Sequence, residues 1–282
     1  MWIMYALLSA LFAGVMSVLA KIGLKDVDST LATALRTIVV AVFAWLIVFA
    51  AGTQSAIVEI SGKTLLFLVL SGLATGGSWL CYFKALQSGD INKIVPIDKS
   101  SIVLTMLLSM LFLGEGITFL EICAMLLIAT GIYLMIERKK IITSAVRGKR
   151  WLLYAILSAV FASLTTILGK IGIEGVDSDL GTAIRTIVVL LMAWLIVFIQ
   201  HKQKQLKSID RKSWLFILFS GLATGLSWLC YYRALQQGSA SVVVSIDKLS
   251  ILVTVSFGYF LFHERLNRNS VIGLVMILLG IQ

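Results

Sequence analysis

The sequence predicts an all-α integral membrane protein with ten transmembrane helices, arranged as two inverted five-helix repeats. First, the chain repeats itself: a shift of 149 positions places residues 1–133 on residues 150–282 without a gap, and roughly 60 of the 133 pairs are identical. Second, the composition suits a chain embedded in lipid, with 59% hydrophobic residues, 13% charged residues and a mean hydropathy of +0.99. Third, the basic residues lie mostly in short segments between apolar stretches.

Each half contains five apolar stretches, and a helix needs about 20 residues to cross roughly 30 Å of hydrocarbon. They lie near 3–20, 31–50, 64–83, 94–113 and 119–136, and near 152–169, 180–199, 214–232, 243–262 and 269–282. Residues 1–136 therefore form the first repeat, residues 137–150 a basic linker and residues 151–282 the second repeat. The first stretch has no basic leader, so we expect a retained helix. The last stretch is short, so we expect the native chain to continue beyond Gln282.

The loop charges predict the orientation of these helices. One side of the predicted topology holds 17 lysines and arginines, whereas the other holds three, Lys63, Lys170 and Arg233. By the positive-inside rule the linker is cytoplasmic and both termini face outward. Because five is an odd number, the second repeat must cross the membrane in the opposite sense to the first.

Several function classes are disfavoured by the same residues. The net charge of +10 resides mainly in loops, where membrane orientation explains it better than nucleic-acid binding. The three cysteines follow no zinc or disulfide spacing, and we interpret them as buried thiols. No nucleophile–base pair, metal cluster or phosphate-binding glycine loop occurs in the sequence. We therefore expect no catalysis, no cofactor and no nucleic-acid partner.

The segment Ser-Gly-Leu-Ala-Thr-Gly-x-Ser-Trp-Leu-Cys-Tyr occurs at 71–82 and again at 220–231. It is followed in both halves by Ala-Leu-Gln and then by Ile-Asp-Lys. With these motifs the whole chain resembles the EamA-type branch of the drug/metabolite transporter superfamily. The resemblance implies ten helices and export of small molecules. Relatives of the small multidrug branch use a glutamate in the first helix, and residues 3–20 here contain no acid.

Six ionisable residues lie within the predicted spans, where a charge is costly enough to suggest a function. They are Arg36, Asp98, Lys99, Arg185, Asp247 and Lys248. Matched depths predict an ion pair between Arg36 and Asp98 near one membrane face and another between Arg185 and Asp247 near the other, as two alternating gates. In the alternative interpretation the lysines snorkel and the pairs only join helices. Glu115 and Glu264, at helix ends, are expected to be solvated.

The third helix of each half carries a polar stripe at helical spacing. The stripe and the nearby tryptophans are our predicted substrate-binding residues: Thr75, Ser78, Trp79, Tyr82, Thr224, Ser227, Trp228 and Tyr231. Hydroxyl groups cannot face lipid unsatisfied, so the stripe faces either a cavity or a neighbouring helix. The glycines beside it favour close helix packing.

Together these features predict a multi-pass secondary transporter of a prokaryotic-type plasma (inner) membrane, working as a monomer or a dimer. Its partners would be membrane lipid and a small polar metabolite such as an amino acid, exported by alternating access with or without proton coupling. One alternative is a small organic-cation or drug exporter, which would need an exchangeable acid at Asp98 or Asp247. Another is a non-transporting scaffold or a component of a lipid-carrier flippase, which would lack a polar central cavity.

Overall fold

All regular structure in the described residues is helical. The structure is a computed structural model that describes residues 1–23, 27–88, 94, 97, 100–116, 118–135, 150–262 and 268–281. Residues 137–149 of the predicted linker 137–150, together with Asp98, Lys99 and Glu264, lie outside these residues. No β-strand occurs in the described ranges, which confirms the all-α class.

The first half contains five helices in the described residues. They are α1 (Trp2–Gly23), α2 (Ser29–Ala51), α3 (Gly62–Ser88), α4 (Ser101–Leu113) and α5 (Phe119–Met135). The second half contains α6 (Arg150–Gly172), α7 (Ser178–Ile199), α8 (Arg211–Gln237), α9 (Ala240–Asp247), α10 (Ser250–Phe262) and α11 (Arg268–Ile281). Short 3-10 helices follow α2 and α7. The fourth predicted span of the second half is thus broken into α9 and α10, immediately after Asp247.

Seven described segments are long and apolar enough to cross a membrane. Three shorter apolar helices complete the ten predicted positions: Ser101–Leu113, Ile122–Gly131 and Val271–Gly280. Large apolar side chains such as Leu111, Phe260 and Leu191 are exposed, as expected of surfaces that face lipid. The protein is therefore a multi-pass helical membrane protein.

The second helix of each half begins at the same kind of cap. The Asp28 carboxylate accepts from the amides of Thr30 and Leu31, and the Asp177 carboxylate caps α7 in the same way. Each aspartate thereby satisfies amides that the first turn of a helix leaves unpaired. The Lys202 ammonium also donates to Asp28, at 2.7 Å. Repeated sequence thus produces repeated helix starts.

Equivalent helices of the two halves run antiparallel to each other. In the α2–α7 pair, Leu31 clusters with Val197, whereas Val48, near the other end of α2, clusters with Leu180. In the α5–α11 pair, Gly131 adjoins Gly273, while Ala124 adjoins Gly280. These directions are compatible with the predicted inversion of the second repeat.

The interface between the halves is built twice from the same contacts. On the α1–α8 side, the Ser9 and Ser227 hydroxyl oxygens are 3.3 Å apart, and Ser227 donates to the Ser9 carbonyl oxygen at 3.1 Å. On the α3–α6 side, Ser158 and Ser78 make the same two contacts at the same distances. These hydroxyl pairs satisfy each other away from lipid and join helices from different halves.

Candidate functional site

A polar cavity of about 310 Å³ lies between the two halves. Side chains from α1, α3, α6, α7, α8 and α9 form its wall, so both repeats contribute to it. The lining combines hydroxyl groups, aromatic rings, one arginine and one carboxylate. These residues are Ser9, Ala13, Met16, Thr75, Trp79, Thr165, Thr166, Arg185, Thr224, Ser227, Trp228, Tyr231, Tyr232 and Asp247. We call this space the central cavity.

Arg185 is the buried cation of the central cavity, with 2% of its surface exposed. Its Nε donates to the Ser71 hydroxyl at 2.9 Å, and its Nη2 donates to Thr75 at 2.6 Å. The guanidinium carbon lies 5.2 Å from the centre of the Trp228 ring and 4.6 Å from that of Tyr232. Hydroxyl dipoles and aromatic faces thus stabilise a charge that is removed from water. Nη1 has no hydrogen-bond partner among the described residues.

Asp247 lines the central cavity where the helix is interrupted. The Ser9 hydroxyl donates to its carboxylate at 3.2 Å, and the Lys248 ammonium lies 3.9 Å from it. The predicted ion pair between Arg185 and Asp247 is wrong for this conformation, because Arg185 bonds α3 instead. The two opposite charges share one cavity without being paired to each other. Broken helices supply binding groups in this way in many transporters.

A second cavity of about 360 Å³ adjoins the central cavity and contains Arg36. We call it the Arg36 cavity. Its lining residues are Met16, Thr33, Arg36, Thr37, Val40, Trp79, Tyr82, Thr224 and Trp228. Met16, Thr224 and the two tryptophans belong to both linings, so the cavities meet there. The repeat-equivalent residues Trp79 and Trp228 therefore lie between the two arginines.

Most of the predicted binding residues come together at these two cavities. Six of the eight line the central cavity: Thr75, Trp79, Thr224, Ser227, Trp228 and Tyr231. Tyr82 lines the Arg36 cavity. Ser78 does not line either cavity; its hydroxyl bonds Ser158 across the α3–α6 interface, because the stripe turns from the cavity toward the neighbouring helix at that position. Among the predicted gating residues, Arg36, Arg185 and Asp247 line the cavities, and Lys248 adjoins Asp247.

Helix α6 also contributes to the central cavity, which was not predicted from the sequence. Thr165 and Thr166 line the central cavity, and the Thr166 hydroxyl lies 3.2 Å from that of Tyr231. The equivalents of these threonines in α1 are Met16 and Ser17. Two adjacent hydroxyl groups near the middle of an apolar span were the available signal, since such groups require a polar partner.

Glu115 ties together three helices at the end of the molecule where α7 begins. Its carboxylate accepts from the Lys170 ammonium at 2.7 Å, from the Ala240 amide at 2.6 Å and from the Ser241 hydroxyl at 2.9 Å. The expectation that Glu115 is solvated is therefore wrong: its side chain is 13% exposed. Burial raises the pKa of Glu115, but the bonds and charge from Lys170 and the α9 amides outweigh burial and hold the pKa below its usual range.

The fold and the cavities define a class of protein: a multi-pass helical membrane protein with a cavity, lined by polar and aromatic side chains, between two repeated halves. The chain belongs to the EamA-like transporter family, whose pattern matches residues 1–137 and 149–282. This confirms the resemblance found in the motifs, and it supports a membrane transporter. A protein of known crystal structure superposes with a TM-score of 0.79 over 99% of this chain and 95% of its own, at 15% identity, which shows the fold alone.

Two relatives are about half as long as this chain. An uncharacterized transporter of Sinorhizobium sp., from the cobO 3' region, is 45% identical over 133 residues, covering 47% of this chain and 94% of its own. A protein of Methanocaldococcus jannaschii is 28% identical over 130 residues, covering 46% of this chain and 92% of its own. The uncharacterized transporter YxxF of Bacillus subtilis is 25% identical over 224 residues, covering 75% of this chain and 68% of its own. The first two alignments have the length of one repeat.

Proposed function

We propose that this protein exports small polar metabolites, such as amino acids, across the plasma (inner) membrane by alternating access. The observation that carries this proposal is the central cavity, in which a buried arginine and a carboxylate lie unpaired with each other between the two halves. A small zwitterion can satisfy both: its carboxylate bonds the free Nη1 of Arg185, and its ammonium bonds Asp247. The aromatic rings of Trp79 and Trp228 then exclude water from the bound molecule.

The electrostatics of the cavity favour a ligand that carries both charges. An anion without an ammonium group leaves Asp247 beside added negative charge, whereas a cation without a carboxylate leaves Arg185 without a counter-charge. Arg185 has no paired counter-charge among the described residues of the cavity, whereas Asp247 has Lys248 at 3.9 Å. A ligand carboxylate therefore supplies the missing partner of Arg185, and an ammonium group on the same ligand offsets its charge beside Asp247. The cavity volume of about 310 Å³ suits a small molecule.

Transport then proceeds by rocking of the halves about the cavity. In this proposal the contacts of Glu115 form the gate on the Arg185 side, since they join the end of α4 to α6 and to the start of α9. Opening that side requires Lys170 and the α9 amides to leave Glu115. A bound substrate drives the change only if it binds one state more tightly than the other.

The test uses the purified protein in two steps. Thermal unfolding is first measured with a panel of amino acids, because a ligand that binds only the folded state raises the unfolding temperature. An amino acid that stabilises the protein is then tested for counterflow in proteoliposomes. We expect Arg185→Gln and Asp247→Asn to abolish counterflow, while Arg211→Gln, on the exposed start of α8, retains it. Counterflow that survives both cavity substitutions contradicts the proposal.

One observation supports a small-cation exporter as the second candidate. Asp247 lies in a cavity walled by two tryptophans and two tyrosines, and aromatic faces beside a carboxylate bind ammonium groups. For this candidate, organic cations stabilise the protein and amino acids do not. Asp247→Asn then abolishes the stabilisation, whereas Arg185→Gln leaves it in place.

A further inference from the structure

Arg36 and Arg185 are equivalent residues of the two repeats, yet their guanidinium groups make different bonds. Arg185 is buried and donates to two hydroxyls of α3. Arg36 is only half-buried and donates to the sulfur of Met16 at 3.2 Å and to the hydroxyl of Thr33 at 3.3 Å. The Nε of Arg36 has no hydrogen-bond partner in the described part of the chain. Arg36 therefore lies in its cavity with weak ties and an unused donor.

The hydroxyls that would hold Arg36 in the manner of Arg185 are present on α8. Repeat symmetry makes Ser220 and Thr224 the equivalents of Ser71 and Thr75, and we call this pair the α8 dock. The Thr224 hydroxyl donates to the Ser220 carbonyl oxygen at 2.7 Å, just as Thr75 donates to the Ser71 carbonyl oxygen at 3.0 Å while accepting from an arginine. A hydroxyl that donates once still has lone pairs to accept with. The α8 dock is thus able to accept a guanidinium.

The backbone of Arg36 is already placed for this. A Cβ atom on Gly72 would lie 3.1 Å from the Arg185 carbonyl oxygen, and a Cβ atom on Gly221 would lie 3.2 Å from the Arg36 carbonyl oxygen. The distances to the valine three positions after each arginine are 2.6 Å and 2.7 Å. The α2–α8 crossing therefore matches the α7–α3 crossing, and an arginine that reaches the hydroxyls in one can reach them in the other.

The space between Arg36 and Thr224 of the α8 dock is open, whereas Ser220 lies buried behind it. Thr224 and Arg36 line the same cavity, with Trp79 beside them. Trp79 is the equivalent of Trp228, whose ring lies against the Arg185 guanidinium. Rotation of the Arg36 side chain thus brings it to hydroxyls and an aromatic face like those that hold Arg185.

We infer that Arg36 has a second position on the α8 dock, and that the carboxylate of the transported molecule, while it lies in the Arg36 cavity and not on Arg185, competes with the dock for the Arg36 guanidinium. The identity of the competing group rests on the proposed function, whereas the second position does not. Hydrogen bonds from a guanidinium to a carboxylate are stronger than those to a neutral hydroxyl, and they form in bidentate pairs. A bound carboxylate therefore keeps Arg36 in the cavity, and its departure releases Arg36 to the dock.

A double-mutant cycle tests the second position without any transport measurement. Ser220 is 1% exposed, so Ser220→Asp buries a carboxylate at a point where a docked Arg36 would pair with it. We expect Ser220→Asp alone to lower the unfolding temperature modestly, and adding Arg36→Met to lower it by roughly 10 °C more. Arg36→Met in the parent background should change it little. If Ser220→Asp lowers the unfolding temperature equally in the presence of Arg36 and in the Arg36→Met background, the second position is overturned.

The matched control is Ser220→Asn, which has the same size but no charge and should show no dependence on Arg36. If Ser220→Asp does not fold, the same cycle is run with Thr224→Asp, at a position that lines the cavity and remains hydrated. Thr224→Asp is expected to depend on Arg36 in the same direction. Independence there as well overturns the second position.

The competing ligand is tested with glycine and acetate as probes. Stabilisation of the parent by glycine should be weakened in Ser220→Asp, because Arg36 is held on the dock, and kept in full in Ser220→Asn. Acetate, which lacks an ammonium group for Asp247, should stabilise the parent less than glycine does. Full stabilisation by glycine in Ser220→Asp contradicts the competition. The two proposals can fail separately. If the unfolding temperature of Ser220→Asp depends on Arg36 but no amino acid is transported, the second position stands and the proposed function fails. If amino acids are transported but the unfolding temperature of Ser220→Asp does not depend on Arg36, the proposed function stands and the second position fails.

Discussion

The first three helices of each repeat differ from the last two in how closely the halves agree in sequence. Identical pairs are concentrated before Ser100 and its equivalent, and they become sparse afterwards. The conserved region supplies most of the cavity lining and the serine pairs that join the halves. In this region equivalent positions of the two halves make equivalent contacts, and the same residue therefore suits both positions. Of the remaining helices, α5 and α11 pack against each other, whereas α4 packs on α6 and α10 packs on α1.

The few identities in the last helices occur where the helices touch. Ile128 and Gly131 of α5 are matched by Ile277 and Gly280 of α11, and these four residues form the α5–α11 crossing. Elsewhere in these helices any apolar residue meets the needs of a lipid-facing surface. Agreement between the halves therefore marks residues through which the halves contact each other. The substitutions below compare such contacts, beginning with the largest expected effect.

The largest effect is expected at the α5–α11 crossing. A Cβ atom at Gly131 would lie 2.5 Å from the Gly273 carbonyl oxygen, a backbone atom that moves only with its helix. We expect Gly131→Ala to cost about 2–3 kcal/mol of stability through overpacking. Gly116→Ala is the control, since no atom lies within 4 Å of a Cβ there. Unfolding temperatures in detergent compare the two, and equal values would show that the crossing does not require glycine.

The next effect contrasts the two arginine environments. Thr75→Val removes an acceptor from buried Arg185 and should cost about 1–3 kcal/mol, the penalty of leaving a charged donor unsatisfied. Thr224→Val, the equivalent change on α8, removes no bond to Arg36 in this conformation and should cost under about 1 kcal/mol. Chemical denaturation of each variant measures the difference. A larger loss at Thr224 would mean that Arg36 spends most of its time on the α8 dock.

The repeat also explains how much the sequence could predict. Positions and number of the helices followed from hydropathy, and most of the cavity residues followed from the stripe on the third helix. The predicted pairing of Arg185 with Asp247 was wrong, because equal depth in the membrane does not fix the rotation of two helices about their axes. Arg185 turns toward Ser71 and Thr75 instead.

Glu115 shows a second limit of sequence reasoning. A carboxylate at a helix end suggests solvent, and nothing local to residue 115 in the sequence indicates Lys170 or the start of α9 as its partners. These contacts lie 55 and 125 positions away along the chain, so only the packed helices bring them together. Side-chain partners at such separations depend on tertiary packing.

An intermediate effect is expected when this gate contact is weakened. Glu115→Gln keeps the shape but loses the charge, and should cost about 1–2 kcal/mol. Because the folded pKa of Glu115 is lowered, its contribution is complete above the unfolded value of about 4.3 and is lost as the pH falls through the folded value. The parent should therefore lose more stability than Glu115→Gln between pH 6 and pH 3, as followed by thermal unfolding. Parallel pH curves for the two proteins would show that the carboxylate contributes no charge-dependent stability.

The smallest effect is expected on the opposite side of the molecule, where Lys202 donates to Asp28. Both side chains are about a quarter exposed, so water screens their attraction, and Lys202→Met should cost only about 0.5 kcal/mol. Burial raises the pKa of Asp28, whereas Lys202 and the amides of Leu31 and Thr30 lower it. The lowering is the larger effect, so the pKa lies below its usual range. This contribution is complete above the unfolded pKa and is lost as the pH falls through the folded one.

In Lys202→Met the folded pKa of Asp28 should be higher, so the stabilisation by its carboxylate should be lost at a higher pH. The cap of α2 should remain in place. Asp28→Ala removes both the cap and the ion pair, and should cost about 1 kcal/mol or more. Denaturation of the two variants at pH 7 and at pH 2 separates the parts: the cost of Lys202→Met should shrink at the lower pH, which lies below the unfolded pKa and where the carboxylate becomes protonated. If Lys202→Met costs as much as Glu115→Gln at pH 7, the two ends of the transporter are held equally firmly, and the contrast between them lies in the arginines alone.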